Sequence, residues 1–162
     1  MIGFGYDSHR LVAGRPLILG GVHVEHELGL EGHSDADVLT HAVIDALLGA
    51  AGLGDIGERF PDTDERWRDA DSIELLREVG AALRAEGLRV VNVDVTVVLE
   101  RPKLLPHRPA MRARLAEALG LDERRVNVKA TTGEGMGFVG RGEGAAALAV
   151  ATVTRLEPGA AG

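Results

Sequence analysis

Near its start the chain reads GYDSHRL (residues 5–11), a stretch that predicts a β-strand carrying an aspartate and a histidine two positions apart. The flanking residues are apolar and indicate that this strand is otherwise buried: Ile2, Phe4, Tyr6, Leu11 and Val12. Asp7 and His9 stand two positions apart, so in a strand both side chains point to the same face. Ionisable groups that leave water need partners. A bound cation would serve both of them.

The composition narrows the class of protein. The chain has 162 residues, 45% of them hydrophobic and 27% charged, which suits one soluble domain with a sizeable core. Only 3% are aromatic, so Ala, Val and Leu must fill that core, and oligomerisation is expected to bury further surface. The net charge of −7 argues against a nucleic-acid binder or an anionic-membrane binder. Because cysteine is absent, a metal site must use His, Asp, Glu or water.

No leader-like or membrane-spanning run is evident in the sequence, so the cytoplasm is the expected location. Residues 1–157 are expected to form one domain, and residues 158–162 a disordered tail.

Hydrophobic periodicity predicts an α+β fold, an α/β sandwich in which helices cover one face of a mixed β-sheet. After the first strand, Gly20-Gly21 between two apolar runs predicts a small β-hairpin. Further strands are predicted at residues 89–100, 125–132 and 144–156, and helices at residues 35–52, 70–87 and 106–120. Ser34 or Asp35 is expected to cap the first helix, and Asp71 or Ser72 the second. The polar segment 54–67 predicts a functional loop.

His41 lies on the first predicted helix, one turn from both Asp37 and Asp45. If this helix packs over the first strand, Asp7, His9 and His41 form one carboxylate and two imidazoles. This is the ligand set of a catalytic zinc with an open fourth position. The same set suits a non-haem iron oxygenase, and any one of these histidines taken alone is more often a satisfied surface or core residue.

A second informative stretch is VKATTGEGMGFVGRGEG (residues 128–144), which holds six glycines. Its backbone N–H groups could approach an oxyanion such as phosphate, with the hydroxyls of Thr131 and Thr132 nearby. Dinucleotide and ATP motifs are excluded, because Phe138 replaces the third glycine, no helix is expected to follow, and no Gly-Lys-Ser/Thr is present. A glycine-rich connection between strands is the alternative. Lys103 and Lys129 are the only lysines and could equally be solvated side chains.

Over nearly its whole length the chain contains, in order, the blocks GYDSHRL, LGG, GHSDADVLTHAVIDALLGAAGLGDIGERFPDTD, NVDVTVVLERPKLLPH and NVKATTGEGMGFVGRGEG. Together these blocks resemble the 2-C-methyl-D-erythritol 2,4-cyclodiphosphate synthase family. The resemblance implies a homotrimer around a central sheet-lined channel. It also implies a role in the non-mevalonate pathway of isoprenoid biosynthesis.

In the implied reaction, the 2-phosphate of 4-diphosphocytidyl-2-C-methyl-D-erythritol 2-phosphate attacks the β-phosphate, which releases CMP and a cyclic diphosphate. No general base is required, because a phosphate monoester is already anionic at neutral pH. The resemblance implies zinc on Asp7, His9 and His41, and a magnesium or manganese ion on Glu134. His33 and Thr132 match positions that stabilise the transition state.

By the same resemblance, substrate contacts come from four parts of the chain: Ser34 and Asp45; Asp55, Ile56, Gly57, Phe60, Pro61, Asp62, Thr63 and Asp64; Glu100, Arg101, Pro102, Lys103, Leu104, Leu105 and Pro106; and Ala130, Thr131, Gly133, Phe138 and Arg141. Arg141 and Glu143 are implied to lie near the central channel, which could hold an isoprenoid diphosphate. Family members commonly have threonine and lysine where this chain has Gly133 and Gly135. A trimeric scaffold with structural zinc is the non-catalytic alternative, which an open fourth ligand position disfavours.

Overall fold

Valine-rich and alanine-rich segments pair into a five-stranded mixed sheet in the computed structural model, which describes residues 1–157. The strands are β1 (Ile2–Ala13), β2 (Leu17–Leu19), β3 (Val22–Val24), β4 (Leu28–Leu30), β5 (Leu88–Val98), β6 (Val126–Thr131) and β7 (Gly144–Arg155). The sheet order is β4-β1-β7-β5-β6, and β2 and β3 form the predicted hairpin. Only β5 and β6 pair in parallel; the other pairs are antiparallel. The predicted tail, residues 158–162, lies outside the described residues.

Three long helices pack on the sheet as the periodicity predicts. The helices are α1 (Val38–Ala51), the one-turn α2 (Ile56–Arg59), α3 (Ser72–Ala85), α4 (Arg108–Leu119) and the one-turn α5 (Gly137–Gly140). α1 packs on β1 and β7, α4 packs on β6, and α3 packs against α1, α4 and β5. None of the helices in the described part of the chain is both long and apolar enough to cross a membrane.

Three local predictions were wrong. The short strand β4 was missed because three residues are too few to show a period. α5 lies within the glycine-rich stretch of residues 128–144, where no helix was expected. The cap of α1 is Asp37, and neither Ser34 nor Asp35 fills that role, because the first helical turn begins at Val38.

Asp37 also holds the hairpin against α1. Its buried carboxylate accepts hydrogen bonds from the backbone N–H of Thr40, Gly20 and Gly21, and from the Thr40 hydroxyl. Burial, together with the negative charge of Asp35, raises the pKa of Asp37 despite these donors. The two turn glycines have φ of +58° and +70°, a conformation that glycine adopts without strain.

The first strand is not buried on both faces. Ile2, Phe4 and Tyr6 were expected in the core, but they are 75%, 61% and 49% exposed in the chain. On the neighbouring strand β7, Leu148 pairs with Tyr6 and Val150 pairs with Phe4, and both are also exposed. These five residues, called the apolar face below, form one patch on the side of the sheet opposite α1.

The other face of β1 consists of glycine where α1 crosses it. A Cβ atom at Gly5 would lie 1.9 Å from the Ala42 carbonyl oxygen, and one at Gly3 would lie 1.9 Å from the Ala46 carbonyl oxygen. No side chain fits in this space, so the helix backbone rests directly on the strand. This close approach sets the position of every residue that α1 presents to β1.

We expect Gly5→Ala to lower the free energy of unfolding by about 2–3 kcal/mol, because the added methyl must push α1 away from β1. Gly49→Ala, on the exposed side of α1, is the control, since its Cβ would meet only the Phe4 carbonyl oxygen at 3.9 Å. This control should be neutral or gain up to about 1 kcal/mol from helix propensity. Urea denaturation measures both variants, and equal stabilities would contradict the close-packing argument.

Candidate functional site

Three ionisable side chains meet where α1 crosses β1, as the sequence predicts. The Asp7 Oδ2 atom lies 2.8 Å from His9 Nε2 and 3.1 Å from His41 Nδ1. The two histidine nitrogens are 3.3 Å apart. His41 is buried, whereas Asp7 and His9 are half-buried. One atom from each residue therefore points at a common centre.

Within these three residues, called the triad below, the electrostatics favour the charged forms of Asp7 and His41 despite burial. Burial alone would raise the pKa of Asp7, but the hydrogen bonds and charge of His41 and His9 outweigh it and lower the pKa to about 2. Burial would lower the pKa of His41, but the Asp7 hydrogen bond and charge outweigh it and raise that pKa. A cation that binds at Nδ1 of His41 therefore competes with a proton for that nitrogen.

The triad has the chemistry of a zinc site. Ligands of a tetrahedral zinc with bonds of roughly 2.0 Å are roughly 3.3 Å apart, close to the spacing of the three donor atoms. The second nitrogen of each ring is also occupied, as in metal-binding histidines. His9 Nδ1 lies 2.8 Å from the Glu31 carbonyl oxygen, and His41 Nε2 lies 2.8 Å from Ser72 Oγ. The residues present therefore fit the implied ion.

A cleft of about 380 Å³ opens beside the triad. Besides the triad, its lining contains six of the residues implied for substrate or transition state: His33, Ser34, Ile56, Gly57, Phe60 and Asp62. Gly32, Trp67 and Leu75 also line the cleft and were not anticipated. Trp67 could have been suspected, because it is the only tryptophan and stands in a polar loop. Its ring packs edge-on against Phe60 at 5.0 Å.

Other residues implied for substrate contacts hold the loop at the rim of this cleft. Asp45 Oδ1 accepts the Ile56 N–H at 2.8 Å, and Asp55 caps α2. Burial raises the pKa of Asp45, although the Ile56 hydrogen bond opposes the shift. His33 Nε2 lies 3.1 Å from the Asp64 carbonyl oxygen. Pro61, Thr63 and Asp64 belong to this loop but do not line the cleft.

A second cleft of about 320 Å³ lies between the segment after β5 and the end of β6. Its lining includes eight predicted residues: Glu100, Pro102, Lys103, Leu104, Leu105, Ala130, Thr131 and Thr132. Leu99 and Arg108 were not anticipated, and Arg101, Pro106 and Gly133 are absent from the lining. Arg108 is held in place by its Nε–H, which donates to the Val128 carbonyl oxygen at 2.9 Å.

The glycine-rich loop already holds an oxyanion from the chain itself. The Glu100 carboxylate accepts the N–H of Gly133 at 2.8 Å and that of Gly135 at 3.2 Å. Between them, Glu134 is exposed and has φ of +54°. Within residues 1–157, the triad is the only group of three or more His, Asp or Glu side chains close enough together to hold a metal, and Glu134 is not part of it.

Phe138 and Glu143 lie outside the first two clefts. With Ser8, His9, Arg10 and Gly144 they line a third cleft of about 240 Å³, and neither lines the second. Arg141 is exposed and pairs with Glu143 at 3.1 Å. The first two clefts share no lining residue, so one chain presents them as separate surfaces.

Comparisons with known proteins identify the family of the chain. The sequence profile of the YgbB family matches residues 1–154. The 2-C-methyl-D-erythritol 2,4-cyclodiphosphate synthase of Symbiobacterium thermophilum is 63% identical over 153 residues, which cover 94% of this chain and 98% of that protein. The synthase of Salinibacter ruber is 64% identical over 152 residues, which cover 94% and 97%.

A solved structure of a 2C-methyl-D-erythritol-2,4-cyclodiphosphate synthase in its CDP-bound form is 42% identical, with a TM-score of 0.87. The match covers 95% of this chain and 100% of the solved one. The profile match and the identity to these relatives both extend over nearly the whole sequence. The chain therefore belongs to the YgbB family, which is the family of the 2-C-methyl-D-erythritol 2,4-cyclodiphosphate synthases.

Proposed function

We propose that the chain converts 4-diphosphocytidyl-2-C-methyl-D-erythritol 2-phosphate to the cyclic diphosphate and CMP, as a phosphorus–oxygen lyase of isoprenoid biosynthesis. The observation that carries the proposal is the Asp7–His9–His41 triad beside a cleft, in a chain whose family relatives are synthases of this name. A cytoplasmic location belongs to the proposal.

The reaction requires charge neutralisation and alignment more than proton transfer. The attacking 2-phosphate is anionic at neutral pH, so the chain must bring two anions into line. In the triad, a zinc ion would supply Lewis-acid polarisation of a phosphoryl oxygen. His33 and Ser34 line the same cleft and would bind phosphate oxygens, while Phe60 and Ile56 supply an apolar wall that limits water.

The second cleft suits the cytidine end of the substrate. Lys103 and Arg108 place positive charge beside it, and Leu104 and Leu105 offer apolar surface for a base. The hydroxyls of Thr131 and Thr132 lie at its edge and can donate to a phosphate. Family structures with CDP bound support a cytidine diphosphate-linked substrate.

The direct test is incubation of the zinc-loaded protein with the cytidylyl substrate, followed by measurement of CMP and cyclic diphosphate. We expect His41→Ala to lose zinc and to reduce CMP release at least about 100-fold while the fold is retained, because only a polar site is changed. Metal analysis and circular dichroism accompany the assay. Retention of one zinc per chain by His41→Ala, or iron as the metal that restores activity, would contradict the assignment.

A second divalent ion, magnesium or manganese, is proposed to bind Glu134 together with the substrate diphosphate. When bound, it would neutralise charge on the leaving CMP. The exposed carboxylate of Glu134 suits an ion that arrives with the substrate, since a hard cation prefers oxygen ligands.

We expect Glu134→Gln to retain zinc but to need roughly tenfold more magnesium or manganese for half-maximal turnover, since the amide carries no charge. Glu86→Gln, which changes an exposed carboxylate at the end of α3, is the matched control and should behave like the wild type. Metal titrations of steady-state rate compare the three proteins. Superimposable titrations for Glu134→Gln and wild type would remove Glu134 from the metal site.

The separate clefts and the apolar face support active sites shared between the subunits of a homotrimer. In this proposal the triad cleft of one subunit adjoins the second cleft of its neighbour, and the apolar faces are covered in the assembly. Arg141 and Glu143 would then lie near the central channel, with space for an isoprenoid diphosphate. Residues Phe138 and Gly133 would contact substrate only in the assembled trimer.

Mixed trimers test the sharing of sites. Asp7→Ala damages the zinc surface, and the double variant Lys103→Ala with Thr132→Ala damages the cytidine surface. Equal amounts of the two, unfolded and refolded together, should recover roughly a quarter of wild-type sites, because each surface is intact in half of the subunits. Co-refolding Asp7→Ala with His41→Ala is the control, which should recover nothing. If mass measurement shows that the trimers are mixed and they are still inactive, the active sites are not shared and each subunit must contain a complete site.

A further inference from the structure

The side of His41 that faces away from the triad is bound by two serines. His41 Nε2 lies 2.8 Å from Ser72 Oγ and 3.1 Å from Ser34 Oγ. Ser72 is fully buried as the first residue of α3, and Ser34 lines the triad cleft. A single ring nitrogen carries at most one proton, so the other partners of the two hydroxyls decide which role each of them takes.

Asp35 distinguishes the two serines. Its carboxylate accepts a hydrogen bond from the Ser72 hydroxyl and another from the Ser72 backbone N–H, the latter at 2.9 Å. The Ser72 hydroxyl proton is therefore committed to Asp35, which leaves only the oxygen lone pairs of Ser72 for His41. Ser34 Oγ accepts the Ala36 N–H at 3.3 Å, and its own proton has no acceptor other than His41 among residues 1–157.

A cation in the triad fixes the direction of the chain of hydrogen bonds. Nδ1 of His41 faces Asp7 and His9, so a metal bound there takes the lone pair of Nδ1 and leaves the proton on Nε2. Nε2–H then donates to Ser72 Oγ, and Ser72 donates to Asp35. Ser34 is left with a hydroxyl proton that it can offer to a ligand in the cleft.

We propose that Asp35 and Ser72 are positioning residues that hold the tautomer and ring orientation of His41 for metal binding, whereas Ser34 keeps its hydroxyl for the substrate. The inference rests on the proposed function for its metal and goes beyond it in assigning these roles. Neither Asp35 nor Ser72 contacts the centre of the triad, so both act through His41. Support of this kind typically changes metal affinity by about 10–100-fold.

The test measures zinc affinity by competition with a chromophoric chelator, with no substrate present. Ser72→Ala should weaken zinc binding by about 10–100-fold, and Ser72→Thr, which keeps the hydroxyl, should restore most of it. Ser34→Ala is the matched control, since it removes the other hydroxyl near the same nitrogen, and it should stay within about threefold of wild type. Equal losses in Ser34→Ala and Ser72→Ala, or no loss in Ser72→Ala, would overturn the division of roles.

The role of Asp35 is tested by a double-mutant cycle with Ser72, in which zinc affinity is measured. Asp35→Asn removes the charge that orients the Ser72 hydroxyl, so it should weaken zinc binding in the wild type but add little to Ser72→Ala. Fully additive losses of zinc affinity would show that Asp35 acts independently of Ser72. They would overturn the proposed hydrogen-bond chain from His41 through Ser72 to Asp35. If Ser72→Ala does not fold, the zinc affinities of Asp35→Asn and Ser72→Thr are compared with that of Ser34→Ala.

A spectroscopic measurement separates this proposal from the proposed function. In zinc-loaded protein with ¹⁵N-labelled histidine, the Nε2–H proton of His41 should be protected from exchange with solvent, and at saturating zinc Ser72→Ala should remove that protection while Ser34→Ala preserves it. If the zinc-loaded protein released no CMP from the cytidylyl substrate, the proposed function would fail, while a protected proton would still support the hydrogen-bond chain. An unprotected Nε2–H in the zinc-loaded wild type would overturn the hydrogen-bond chain itself.

Discussion

The direct contact between the α1 backbone and β1 is the constraint on which the site depends. Because Gly3 and Gly5 carry no side chain, the Ala42 and Ala46 carbonyls come nearer to the strand than any Cβ would allow. A helix at this distance places His41, one residue before Ala42, over the next odd-numbered position of the strand. The two glycines thus set the distance between α1 and β1, and the first residue of the site, Asp7, follows two positions after Gly5.

The sequence was sufficient for the features that depend on local periodicity. The two-residue period of β1 placed Asp7 and His9 on one face of a strand, and the helical period placed His41 on α1. The packing of α1 on β1 then brought the three side chains together. Features that depend on distant pairing were missed. Nothing near Ser72 in the chain indicates that it meets Asp35 and His41, and the apolar residues around Phe4 do not show which face of β1 stays uncovered in the chain.

Carboxylates that resemble functional groups in the sequence act largely as clamps on backbone N–H groups. Asp37 secures the hairpin turn, Asp45 secures the start of α2, and Glu100 secures the glycine-rich loop. Such bonds neutralise buried negative charge and stabilise loop conformations that propensity alone would not select. A sequence motif shows where an acidic group lies but not which partner it binds. Carboxylates that bind backbone N–H groups therefore cannot be distinguished from metal or substrate ligands until the fold is known.

The alternation of β1 couples metal binding to assembly in the proposed trimer. Odd-numbered residues of the strand face α1 and end in Asp7 and His9, while even-numbered residues from Ile2 to Tyr6 form the apolar face with β7. A register change of one residue would exchange the two faces, exposing the triad and burying large side chains against α1. The side-chain period of the strand therefore fixes both surfaces at once. Because Asp7 is separated from Tyr6 by one peptide bond, a neighbour that packs on the apolar face is held in a defined position relative to the metal site, as a shared active site requires.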